Sequence, residues 1–114
     1  MINPARYNIT AYQGATYGLN MTWAIGGTAV NLTNYTAAMQ VRQNPNSTAT
    51  VLNLASGSGI TLGGTAGTIL VNVPANTMGS ATPGSYVYDL ELNSGGQVTR
   101  LIQGSFAIQA EVTK

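Results

Sequence analysis

Asp89 and Glu91 are the two acidic side chains that stand close enough in the chain to act together. Two residues apart on a strand, they share a face, as a glycosidase pair or a cation site would require. The simpler expectation is an outward ion pair with Arg100, which a hairpin would bring opposite Glu91, worth about 0.2–1 kcal/mol. The third carboxylate, Glu111, lies far along the chain, and the cations are Arg6, Arg42, Arg100 and Lys114. There is no His and no Cys. Imidazole acid–base chemistry and thiol nucleophiles are therefore absent. We expect no enzyme, with no catalytic, cofactor-binding or metal-ligating residues and no cofactor.

Other motifs have equally plain readings. Gly57-Ser58-Gly59-Ile60-Thr61-Leu62-Gly63-Gly64 invites a phosphate loop, but no Lys-Ser/Thr pair and no helix pattern follow it. Gly turns around a short strand are expected instead. N-x-S/T sequons at Asn8, Asn20, Asn31, Asn34 and Asn46 are expected to be a by-product of Asn/Thr-rich strands and turns. Of the aromatics, Tyr7, Tyr17, Trp23, Tyr86 and Tyr88 fall on apolar strand faces and are expected in the core. Tyr12 and Tyr35 are left for a surface, and with Arg42, Glu91 and Arg100 they are the candidate interface residues.

Charged residues make up 6 % of the chain against 44 % hydrophobic, and the net charge is +1. An ordinary globular domain carries about a quarter charged residues. So small a field does not steer nucleic acid, and dispersed Arg residues make no basic patch. The opening Met-Ile-Asn-Pro-Ala-Arg has no apolar leader-like run, and no stretch approaches the roughly 20 apolar residues of a membrane helix. Neither nucleic acid nor membrane is expected as a partner.

These few groups must be positioned by strands. Ala15, Tyr17, Leu19, Met21, Trp23 and Ile25 alternate with small or polar residues, the period of a half-buried strand. Similar alternation marks Tyr7–Ala11, Ala37–Val41, Val51–Leu54, Ile60–Leu62 and Ile69–Val73. Gly, Pro, Asn and Ser clusters separate these segments, and one helical turn is allowed around Ala75–Met78. Tyr86, Tyr88, Leu90 and Leu92 point one way; Val87, Asp89, Glu91 and Asn93 point the other. Gly95-Gly96 suits a two-residue turn, pairing Asn93 with Val98 and Glu91 with Arg100. That register places Leu101 inward beside Leu90. Phe106 and Ile108 then have the wrong parity unless a bulge intervenes, for which Gly104 is the natural place.

The pattern predicts one domain over residues 1–114, an all-β, immunoglobulin-like antiparallel β-sandwich of about 7–9 short strands. Trp23 is expected to be buried in an early strand. Tyr86, after Pro83-Gly84-Ser85, is expected to bond its hydroxyl back to the preceding loop. Isolated sandwiches blunt open sheet edges with charge or Pro. Here the one Lys is Lys114, so edges covered by other copies, a homo-oligomer, are expected.

Several segments resemble small proteins encoded among tailed-bacteriophage structural genes. Asn31-Leu32-Thr33-Asn34-Tyr35-Thr36-Ala37-Ala38-Met39-Gln40-Val41-Arg42 resembles their "DLTGYTARMQVR". Gly59 to Ile69 is similar to "GITLGGTAGTI", and Tyr86–Leu92 with Val98–Gly104 is similar to "YVYDLEL…VTRLLQG". The resemblance runs from about Ile9 to Val112 and departs at Asn31, where the family has Asp. It implies a virion structural protein with a β-sandwich fold, assembled in the host bacterial cytoplasm, and no catalytic residues. The expected role is packing with other virion proteins in the tail, baseplate or head–tail region. Capsid decoration on the head exterior, or a host-glycan-binding module using Tyr12 and Tyr35, are the alternatives.

Overall fold

Gly95 and Gly96, at φ +60° and +92°, both adopt the left-handed region that a two-residue hairpin turn demands. That turn joins the two longest strands and fixes their register, Ser94 opposite Gln97, Asn93 opposite Val98 and Glu91 opposite Arg100. In the computed structural model, which describes residues 5–47 and 49–111, the rest of the sandwich is arranged around this hairpin. Lys114, Val112 at the end of the phage resemblance, the opening Met1–Pro4 and Thr48 of the Asn46 sequon lie outside the described residues.

The strands are β1 (Ala5–Arg6), β2 (Ile9–Tyr12), β3 (Tyr17–Thr22), β4 (Ala24–Ile25), β5 (Thr28–Ala29), β6 (Thr36–Arg42), β7 (Leu52–Ser56), β8 (Gly59–Leu62) and β9 (Thr68–Val73). A single helical turn, α1 (Ala75–Gly79), crosses to β10 (Gly84–Ser94), which is followed by β11 (Gln97–Gln109). One hydrogen-bonded path runs β1-β11-β10-β6-β7-β8-β9-β3, with β2 also on β11. β7 and β8 share only the pairs Ala55–Gly59 and Ser56–Ile60, so the chain turns a corner there. One layer is β1/β2-β11-β10-β6-β7 and the other β8-β9-β3. The all-β, immunoglobulin-like sandwich expected from the strand pattern is what the chain forms. Its ladders are antiparallel except at that corner and where β1 and β2 run parallel to β11.

The core between the layers is built from alternate residues. Met39 and Val41, Tyr88, Leu90 and Leu92, Ile69, Val71 and Val73, and Phe106 and Ile108 are all buried. Phe106 stands edge-on to both Tyr17 and Tyr88, at ring separations of 5.8 and 6.1 Å. Such contacts contribute beyond the area they bury. Tyr86 turns its hydroxyl back to donate to the Thr82 carbonyl at 2.6 Å, as expected for a corner tyrosine.

Four expectations need correction. The bulge that restores inward parity falls at Leu101, not Gly104. Leu90 pairs with Ile102 and Glu91 with Arg100, so Leu101 is the extra residue and Ile102, not Leu101, is buried beside Leu90. Gly104 serves a different need: a Cβ there would collide with the Tyr7 carbonyl oxygen, so the N-terminal chain passes against bare backbone. Tyr7 is not in the core but 48 % exposed, because the strand is interrupted between β1 and β2 at that point. Trp23 is half-buried just after β3, against Tyr35 at 6.2 Å, because the strand ends at Thr22 instead of continuing to Ile25.

Candidate functional site: a polar trough on the outer sheet face

The outward residues of β10, β11 and β6 gather most of the charge that the chain possesses. A trough of about 520 Å³ is lined by Arg6, Arg42, Asp89, Glu91 and Arg100, which leaves Glu111 as the one other charged side chain among the described residues. Alternation explains the placement. Tyr88, Leu90 and Leu92 face the core, so Asp89 and Glu91 must face out; Met39 and Val41 do the same for Gln40 and Arg42.

Register then aligns these residues across strands. Arg6 on β1 is opposite Gln103 on β11, Gln103 opposite Asp89 on β10, Asp89 opposite Gln40 on β6, and Gln40 opposite Asn53 on β7. At a strand spacing of about 4.8 Å, this polar row extends roughly 19 Å. A flanking row holds Arg100, Glu91 and Ala38; on the other side lie Ser105, Val87 and Arg42.

Arg100 forms ion pairs with both neighbouring carboxylates, with Nε 3.2 Å from Asp89 Oδ2 and Nη2 3.6 Å from Glu91 Oε2. Arg42 is held differently. It donates through Nη2 to Gln40 Oε1 and through Nη1 to the Ser47 carbonyl, each at 2.6 Å. Among the described residues neither Arg42 nor Arg6 has a carboxylate partner. The trough therefore offers guanidinium and amide donors along its length, with the two carboxylates already engaged.

Of the five candidate interface residues, the structure brings together Arg42, Glu91 and Arg100. It separates the two tyrosines from them and from each other. Tyr12 lies opposite Gln109, at the end of the sheet where β10 begins, and is 60 % exposed. Tyr35 precedes Thr36, which pairs with Asn93 at the hairpin-turn end, and its ring is taken up by Trp23. No spacing along the sequence joins Arg6, Asp89, Gln40 and Gln103, because only non-local register aligns them. The Asp89–Glu91 pair is an ion-pair partner of Arg100, as expected. Among the described residues no three His, Cys, Asp or Glu side chains converge. Gly57 and Gly59, at φ +84° and +99°, turn the chain on either side of the β7–β8 corner.

No family model and no curated protein matches the chain. Among solved structures it is similar to CopC from Methylosinus trichosporium OB3b, at 12 % identity over 94 % of this chain and 90 % of that one, with a TM-score of 0.49. The reading as a bacteriophage virion structural protein is corrected: no family model and no curated protein carries the phage resemblance, and the likeness to CopC bears on the fold alone. The tail, baseplate and head–tail roles are withdrawn, with capsid decoration and the host-glycan module.

Proposed function

We propose that this chain is a non-enzymatic binding domain whose trough takes up an extended acidic peptide segment. The observation that carries the reading is the cross-strand row from Arg6 to Asn53. A chain with so few charges concentrates them along one concave face, and leaves two guanidinium groups there without a carboxylate among the described residues. Guanidinium groups recognise carboxylates with paired, directional hydrogen bonds. The side-chain amides of Gln103, Gln40 and Asn53 suit the carbonyls and N–H groups of an extended backbone. Asp89 and Glu91, held by Arg100, set a limit on how much negative charge fits near the centre, so acidic side chains belong at the Arg6 and Arg42 ends.

Calorimetric titration with a short Glu-rich peptide and with its Lys-for-Glu counterpart tests this. The acidic peptide should bind, its affinity should fall with added salt, and Arg6→Ala should weaken it by about tenfold, a typical loss for one charge-assisted contact. Equal binding of both peptides, or of neither, would remove the proposal.

A further inference from the structure

We infer that β3 is a self-recognition edge, through which two copies of this chain join their smaller layers into one continuous sheet. The inference is independent of the trough, which lies on the other layer.

β3 ends the hydrogen-bonded path, with β9 on one side and no strand on the other among the described residues. The Trp23 N–H donates to the Gly67 carbonyl at 2.9 Å, next to the Thr22–Thr68 pair. In an antiparallel ladder hydrogen-bonded pairs alternate. Tyr17, Leu19 and Met21 thus direct their backbone groups to β9, while Gly18, Asn20 and Thr22 direct theirs outward. This edge carries no charge, Pro or bulge, the devices that keep edges from pairing. The opposite edge is protected: β1 and β2 are interrupted between Arg6 and Ile9, and Arg6 is charged.

The inward side chains supply the second observation. Tyr17, Leu19, Met21 and Trp23 pack against the core yet stay only half-buried, so an apolar stripe runs along the open edge. Its complement is a strand with unpaired outward backbone groups and apolar residues at alternate positions. β3 itself has that pattern. A two-fold axis at Asn20 pairs Gly18 with Thr22 of the second copy, and Asn20 with Asn20. The same register sets Leu19 against Met21 and Tyr17 against Trp23 of the second copy, which covers the whole stripe. An isologous pairing of this kind closes on itself and does not propagate.

Sedimentation velocity over a concentration series, with amide hydrogen exchange, reads the outcome. The chain should dimerise reversibly, and the amides of Gly18, Asn20 and Thr22 should gain protection on dimerisation. Asn20 is exposed, so Asn20→Lys and Asn20→Glu leave the core untouched. Each alone places like charges directly opposite and should weaken dimerisation by up to about fivefold. An equimolar mixture of the two variants should restore a dimer. A wild-type monomer at every concentration, a dimer unaffected by either variant, or a mixture that stays monomeric would each overturn the inference.

Discussion

Arg100 reaches Asp89 more closely than it reaches Glu91, although Glu91 is the residue directly across the ladder from it. The bulge at Leu101 shifts the register by one residue beyond this point, bringing Gln103 opposite Asp89 and leaving Arg100 diagonal to it. The guanidinium thus spans two carboxylates on one strand face. All three side chains are well exposed, Arg100 by half and its partners by 37 %. Exposed pairs contribute little. Asp89→Ala and Glu91→Ala should each cost under about 1 kcal/mol in urea unfolding, with the cost shrinking in high salt. A loss above about 2 kcal/mol from either would show that the cluster supports the fold.

The aromatic that holds the sandwich together is Phe106, not Trp23. Phe106 is fully buried with Tyr17 and Tyr88 edge-on to it, whereas Trp23 sits half-open beside Tyr35. Phe106→Ala should cost about 3–5 kcal/mol, the range for emptying a buried aromatic site, and Trp23→Ala clearly less. Equilibrium denaturation of both variants under one buffer condition decides the order. The reverse ranking would place the core's weight at the β3 end.

Alkaline pH should destabilise the fold through two tyrosines. Burial pushes the Tyr17 hydroxyl up to about 12, with a smaller contribution from nearby Tyr7. Burial raises Tyr88 further in the same direction, with Tyr17 and Tyr7 adding to it; its hydroxyl also donates to the Tyr7 carbonyl. In the unfolded chain both would ionise near pH 10. Above that pH the unfolded state binds fewer protons than the folded one, so stability falls as pH rises. The contribution is complete below about pH 10 and is lost progressively through about pH 12. Denaturant midpoints measured at pH 8, 10 and 11, with tyrosinate absorbance recorded in parallel, should be flat and then decline. A flat profile throughout would contradict the burial of these hydroxyls.

What the residues disclosed in advance was local. Gly95-Gly96 specifies its turn by conformation alone, and the Glu91–Arg100 pairing follows within a few residues. The Tyr86 corner and the turn at Ala75–Gly79 are similarly short-range. The bulge was hidden because Leu101 looks like any strand residue. Gly104 drew attention through its missing side chain, but the cause was the passing of Tyr7, distant in sequence. Tyr7 itself alternated correctly with its neighbours, yet two residues of β1 are too few to hold it inward. The trough was legible only in its hairpin part. Arg6 and Gln40 join it through two separate strand pairings, a third extends the row to Asn53, and no spacing along the chain records those.

The parallel pairing of β2 with β11 has a mechanical consequence. Ile9 to Tyr12 run alongside Phe106 to Gln109 in the same direction, and they belong to the second and last strands of the fold. Tension drawing Ile9 and Gln109 apart loads that ladder in shear, so its hydrogen bonds resist together instead of opening one by one. These neutral strands thereby form a clasp, and the domain should resist stretching better than its thermal stability alone would suggest.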